Sequence, residues 1–133
     1  MYHPTNNNRE FHLVVDWFDG DDMKTYMINH GRAHSMNKVR DIGKQILLAI
    51  KYLHSQNVVH HDIKPDNIVF SKNLEKIKLI DFGLATKSFN YTRKVTRIGG
   101  NLRYICPEQI KNIITKKSDI WSFGCLLLEY ATG

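Results

Sequence analysis

Val58-Val59-His60-His61-Asp62-Ile63-Lys64-Pro65-Asp66-Asn67, followed by Asp81-Phe82-Gly83, decides how this chain is read. Two apolar residues lead into a polar loop that holds an acid, a cation and an amide at fixed spacing. Asp62 can accept a proton from an attacking hydroxyl, and Asn67, five residues on, can offer an amide oxygen to Mg²⁺. Lys64 lies between them, where an ammonium could rest against a phosphate. Asp81 adds the anionic oxygen that a hard cation prefers. As a bland alternative, Asp62 and Asn67 could simply cap turns, as Asx residues often do.

The flanking sequence reads as alternating helices and short strands. Phe11 to Phe18 is rich in β-formers and reads as a strand, and Asp19-Gly20-Asp21-Asp22 as a turn. Met23 to His30 predicts a two-turn helix stopped by Gly31. Ser35 caps a longer helix whose apolar residues Met36, Val39, Ile42, Ile46, Ile50 and Leu53 form one buried stripe. Val58-Val59 and Ile68-Val69-Phe70 bracket the polar loop, which suits a site held between strand ends. Lys76 to Ile80 alternates as a half-buried strand and delivers Asp81. Residues 84–104 lack a clean period and read as a long irregular segment. A final helix is expected from near Ser118; it is apolar on nearly every face, the pattern of a helix buried within a domain.

Composition narrows the function classes. The chain has 133 residues, 42% hydrophobic and 24% charged, as expected of one folded domain. No apolar run approaches the roughly 18 residues of a membrane span, and Met1 to Arg9 lacks the apolar stretch of a signal peptide. Two cysteines, Cys106 and Cys125, do not make a secreted disulfide framework. An intracellular, cytoplasmic protein with no membrane partner is expected, although nothing here separates cytoplasm from nucleus. Net charge is +6; residues 1–34 hold three basic and five acidic side chains, so the excess lies downstream. From Leu84 to Tyr104 there are five basic residues and no acid. That segment could be a solvated loop, or could meet phosphate or an acidic substrate. With no zinc spacing or aromatic-rich strand, nucleic acid is not the expected partner.

Together these segments resemble the eukaryotic-type protein kinase family, serine/threonine type, over nearly all of residues 11–133. Asp62-Ile63-Lys64-Pro65-Asp66-Asn67 is similar to its catalytic loop and Asp81-Phe82-Gly83 to its metal loop. Gly100 to Glu108 resembles the end of its activation segment, and Ser118 to Gly124 the start of its central helix. The resemblance implies an α+β fold: a kinase-like large lobe, mainly α-helical with short β-hairpins, incomplete, after a remnant small-lobe strand. Residues 1–10 would be a polar lead-in, 11–18 the last small-lobe strand and hinge, and 19–133 the partial large lobe.

By that resemblance ATP and Mg²⁺ are the expected cofactors, and a protein Ser/Thr hydroxyl the acceptor. Asp62 would be the catalytic base, Lys64 the γ-phosphate contact, and Asn67 and Asp81 the metal ligands. Val15 would be the gatekeeper, with Asp16 and Phe18 in the hinge that holds adenine. Asp22 would face the ribose and Val69 would floor the adenine, backed by Met23 and Phe70. His60 would support Phe82, and Asp119 would accept backbone N–H groups of the catalytic loop. His61 and Asn101 stand where the family more often has arginine and threonine.

The family's glycine-rich loop and phosphate-gripping strand lysine have no counterpart here, since the first glycine is Gly20. Loss of such groups would weaken transfer by about 3 kcal/mol each. The resemblance implies an arginine near the end of the large lobe, beyond position 133, as the partner of Glu108, which without it is expected to stay solvated or shift its pKa upward. A truncated homologue that binds another kinase, or a separate small lobe, is therefore the alternative to an active enzyme.

Overall fold

The computed structural model describes residues 12–31, 35–87, 93–94, 101–111 and 113–133. Residues 1–11, including the polar lead-in and Phe11, lie outside them, as do most of 88–100. The architecture is the expected α+β arrangement, with two long helices crossing behind short antiparallel ladders.

Asp22 ends strand β1 (Gly20–Asp22) and caps helix α1 (Met23–His30), accepting the Thr25 N–H at 2.8 Å. Gly31 closes α1 at φ 73°, a left-handed position that suits glycine, and donates to the Met27 carbonyl. Ser35 caps helix α2 (Met36–Ser55) by accepting from the Lys38 N–H. Val39, Ile42, Ile46 and Ile50 are buried along one face of α2, as their spacing predicted. Met36 is the exception and is exposed; it lies in the first turn, well before Gly43, where the second long helix crosses.

That second helix, α4 (Lys116–Thr132), follows strands β2 (Val58–Val59), β3 (Ile68–Ser71), β4 (Ile77–Leu79), β5 (Thr86–Lys87) and β6 (Arg93–Lys94), the short helix α3 (Pro107–Ile110) and strand β7 (Ile113–Ile114). It starts two residues earlier than the apolar pattern suggested, because Thr115 supplies the cap and accepts from the Lys117 N–H. Gly43 lets α2 and α4 approach closely: a Cβ there would lie 3.2 Å from a Leu127 methyl.

The ladders run β1-β3-β4, β2-β5 and β6-β7, all antiparallel. Gly20-Asp21-Asp22, read as a turn, is thus an edge strand pairing with Val69-Phe70-Ser71. Only glycine fits at 20, since a Cβ would fall 1.6 Å from the Phe70 carbonyl oxygen. Two short strands, β5 and β6, also form inside the segment read as irregular. The strand expected over 11–18 is absent from the described residues 12–18. Lys78 of β4 touches Asp16 and Phe18, but none of these residues joins a ladder.

Ile68 and Phe70 point from β3 into the core with Met23, Ile46, Ile50, Ile63, Leu126 and Tyr130. Gln45 ties the β3–β4 hairpin to α2, donating to the Glu75 carbonyl and accepting from the Ile77 N–H, each at 3.1 Å. Ile46 is fully buried between hairpin and helices. Ile46→Ala should therefore lower unfolding free energy by about 2–4 kcal/mol, measured by urea denaturation at unchanged m-value.

Candidate active site

The loop between β2 and β3 is fixed from below by one carboxylate. Asp119, fully buried near the start of α4, accepts the His60 N–H at 3.0 Å and the His61 N–H at 2.9 Å. His54, in the last turn of α2, donates from Nε2 to the same carboxylate at 2.8 Å. His61 is thereby held at φ 67°, which a non-glycine residue adopts at a cost of about 1–2 kcal/mol. The expected role of Asp119 is met, and His54 is a partner that periodicity could not reveal.

Above this floor His60 is buried against Phe82, with ring centroids 4.9 Å apart. Its Nε2 lies 3.1 Å from the Ile80 carbonyl, and Nδ1 accepts the Asp62 N–H at 3.3 Å. A neutral ring protonated at Nε2 satisfies both contacts. Burial agrees, pushing the His60 pKa below 6.5 against the opposing pull of Asp119. His61 turns instead toward β5, its Nε2 2.8 Å from the Thr86 hydroxyl.

Asp62 is buried, and its two oxygens are in different states. Oδ2 accepts from Lys64 Nζ at 2.8 Å and from Asn67 Nδ2 at 3.0 Å. Oδ1 is buried with no hydrogen-bond partner among the described residues. Asn67 Nδ2 also donates to the Asp62 carbonyl at 2.8 Å, so its amide nitrogen faces Asp62 and leaves the oxygen end for other contacts. Pro65 begins the short turn that sets this geometry, its fixed φ suiting the first position.

Asp81 sits at φ 59°, exposed, and accepts the Gly83 N–H on Oδ1 at 3.1 Å. Asp62, Lys64, Asp81, Gly83, Leu84, Asn101 and Leu102 line one cleft of about 740 Å³. Asn101, flagged as unusual in the sequence, thus shares the cleft with the candidate base. The structure brings Asp62, Lys64, Asn67 and Asp81 to one region, with Asn67 one hydrogen bond behind the cleft wall.

Two of the candidate nucleotide residues, Asp22 and Val69, lie in the β1-β3-β4 sheet. Asp22, Val69 and Lys78 are paired across its three strands. Val69 is half-buried on the face opposite Ile68 and Phe70. Lys78 reaches back, donating to the Asp16 carbonyl at 3.3 Å and lying 5.7 Å over the Phe18 ring. Val15 and Asp16 are exposed and Phe18 is half-buried. Asp22 is already engaged as the α1 cap, its Oδ2 also accepting the Thr25 hydroxyl at 2.7 Å.

A family model described as the protein kinase domain matches residues 1–133. The chain belongs to the protein kinase family. All of this kinase chain aligns at 38% identity with calcium-dependent protein kinase 4 of Plasmodium falciparum, covering 25% of that protein. A probable myosin light chain kinase of Dictyostelium discoideum is 37% identical over 96% of the chain and 26% of its own length. Serine/threonine-protein kinase PrkC of Bacillus subtilis is 36% identical over 92% of the chain and 19% of its own length. The kinase chain thus spans about a fifth to a quarter of the length of these curated relatives. No helix among its described residues is long and apolar enough to cross a membrane.

His60 gives a pH signature. A base whose folded pKa is depressed contributes full stability above its unfolded value, about 6.5, and loses it as pH falls toward the folded value. Stability should therefore drop as pH is lowered below 6.5, and His60→Gln should flatten that slope in urea titrations.

Proposed function

We propose that this chain carries the catalytic-loop half of a serine/threonine protein kinase, transferring the ATP γ-phosphoryl group to a protein hydroxyl. The observation that carries this is the state of Asp62. One carboxylate oxygen is held by Lys64 and Asn67, while the other is buried with no hydrogen-bond partner among the described residues. A buried acceptor without a donor is costly, so a ligand hydroxyl is the natural partner for Oδ1.

Each residue has a part that its contacts support. Asp62 would accept the hydroxyl proton on Oδ1, with Lys64 and Asn67 fixing the carboxylate's orientation. Lys64, half-buried at the cleft wall, would present its ammonium to the transferred phosphate. Asn67 and Asp81 are a donor set that fits Mg²⁺, one amide oxygen and one exposed carboxylate. No group of three or more His, Cys, Asp or Glu that could hold a metal occurs among the described residues, and Mg²⁺ shared with phosphates needs only one or two carboxylates. When bound, that ion supplies charge neutralisation on the phosphate chain. Val15, Asp16, Phe18, Asp22 and Val69 would hold the nucleoside, with residues 11–18 as the connecting segment and 19–133 as the lobe beneath it. Lys64 in the Asp62–Asn67 loop supports serine and threonine over tyrosine as acceptors, the class named for the relative PrkC.

A second reading rests on a separate observation. Ile120, Trp121 and Leu128 of α4 are exposed together around an apolar hollow of about 500 Å³. Glu108 beside it stays in solvent. Such a face suits a binding role, in which the chain docks on another kinase or on a small lobe supplied separately.

Transfer from labelled ATP to a generic protein substrate, in Mg²⁺, separates the two. For the enzyme, Asp62→Asn should reduce transfer by at least about a hundredfold while nucleotide binding by calorimetry is retained. Tight association with an intact kinase, with neither nucleotide binding nor transfer, would establish the binding role instead.

A further inference from the structure

The chain leaves the catalytic loop at Ile80 and returns to it at Thr86, and each end is tied to a histidine. At the first end the Ile80 carbonyl lies 3.1 Å from His60 Nε2. At the second, β5 pairs with β2 in the register Val59↔Thr86, and the Thr86 hydroxyl lies 2.8 Å from His61 Nε2. Between the two ties run Asp81, Phe82 and Gly83, and the Ala85 N–H closes a turn onto the Phe82 carbonyl at 3.0 Å. The first tie uses a backbone carbonyl, which any residue at 80 supplies. The second joins two side chains, and so depends on having Thr at 86 and His at 61.

His61 is the residue from which Asp62 projects into the site. Its backbone is held at φ 67°, a conformation that its own Cβ opposes. Asp119 grips its N–H at 2.9 Å from α4, and Thr86 grips its ring from β5. The ring is buried, so water is a poor substitute for the hydroxyl. A hydroxyl both donates and accepts, so it satisfies Nε2 in either tautomer; a methyl group in its place satisfies neither. Rotation at residue 61 would swing Asp62, which lines the cleft together with Asp81. Thr86 stands on the strand that follows Asp81, so one bond relates that strand to the mounting of the other acid.

We propose that Thr86 is a positioning residue for phosphoryl transfer, its hydroxyl holding the His61 ring and thereby fixing Asp62 relative to Asp81. The inference rests on the kinase reading above and adds to it a residue that touches neither nucleotide nor acceptor.

Thr86→Val keeps the side-chain shape and the strand preference while removing the hydroxyl; Thr86→Ser keeps the hydroxyl. With labelled ATP and a generic protein substrate, Thr86→Val should lower kcat about tenfold and leave KM for ATP within about twofold. Thr86→Ser should stay within about threefold of the parent kcat, and Thr86→Ala should repeat the loss seen with Val. In a His61→Gly background, which lacks the ring and adopts the left-handed backbone freely, Thr86→Val should change kcat by less than about twofold. The Asp62 carboxyl ¹³C resonance, read by NMR without substrate, should move in Thr86→Val and return in Thr86→Ser. An unchanged kcat in Thr86→Val, no recovery in Thr86→Ser, the same tenfold loss in the His61→Gly background, or an unmoved Asp62 resonance would each overturn the proposal. Transfer by the parent that is equally fast in Thr86→Val would keep the kinase reading and remove the positioning role. An Asp62 resonance that moves and returns as expected, in a chain that transfers nothing, would keep the positioning and remove the kinase reading.

Discussion

The Asp119 carboxylate holds the site together because it satisfies three donors from two directions at once. It takes the His60 and His61 N–H groups from the loop and His54 Nε2 from the end of α2. A fully buried carboxylate is tolerated only when its lone pairs are filled, so the three donors and the acid need one another. Lys116, one turn earlier on α4, adds a bond to the His54 carbonyl at 2.5 Å. Helix, helix and loop therefore meet at one point, and the residue that follows the meeting is Asp62. The left-handed backbone of His61 is the local strain that this arrangement sustains.

From there the candidate site is built largely on main-chain groups. The His60 ring bridges the Ile80 carbonyl and the Asp62 N–H, which relates the loop to the chain entering Asp81. The Ile80 N–H in turn donates to the Asn67 carbonyl at 3.0 Å. The acid at 62, the amide at 67 and the acid at 81 are thus registered through the His60 ring and one backbone bond at the open end of the β3–β4 hairpin. Side-chain freedom is left where ligand contact is expected, at exposed Asp81 and half-buried Lys64.

Local chemistry made much of this legible in sequence. The caps at Ser35 and Gly31, the α2 stripe from Val39 to Ile50, and the Asp-x-x-x-x-Asn spacing each depend on residues a few positions apart. The failures have physical causes of their own. Residues 12–18 have the composition of a strand, but a strand exists only beside a partner, and composition does not supply one. Met36 keeps the apolar rhythm of α2 in its first turn, before the helix meets α4. Thr115 went unread because its capping partner at the third position is Ser118 rather than Glu or Gln. His54 with Asp119, Lys24 with Asp66 and Tyr104 with Glu129 join residues 65, 42 and 25 positions apart, where no periodicity speaks.

One face of α4 anchors more than the catalytic loop. Three residues after Asp119, Ser122 donates its hydroxyl to the Tyr104 carbonyl at 2.7 Å, and further along Glu129 accepts the Tyr104 hydroxyl. Burial, reinforced by Glu129, holds the Tyr104 pKa well above its usual range, so that hydroxyl stays protonated and keeps donating. The Tyr104 N–H closes the turn onto the Asn101 carbonyl at 2.9 Å. Arg103 lies inside that turn, so its exposed guanidinium stands on a backbone pinned at both ends of Tyr104. The carboxylate at 62 and the cation at 103 consequently share one rigid reference, the α4 axis.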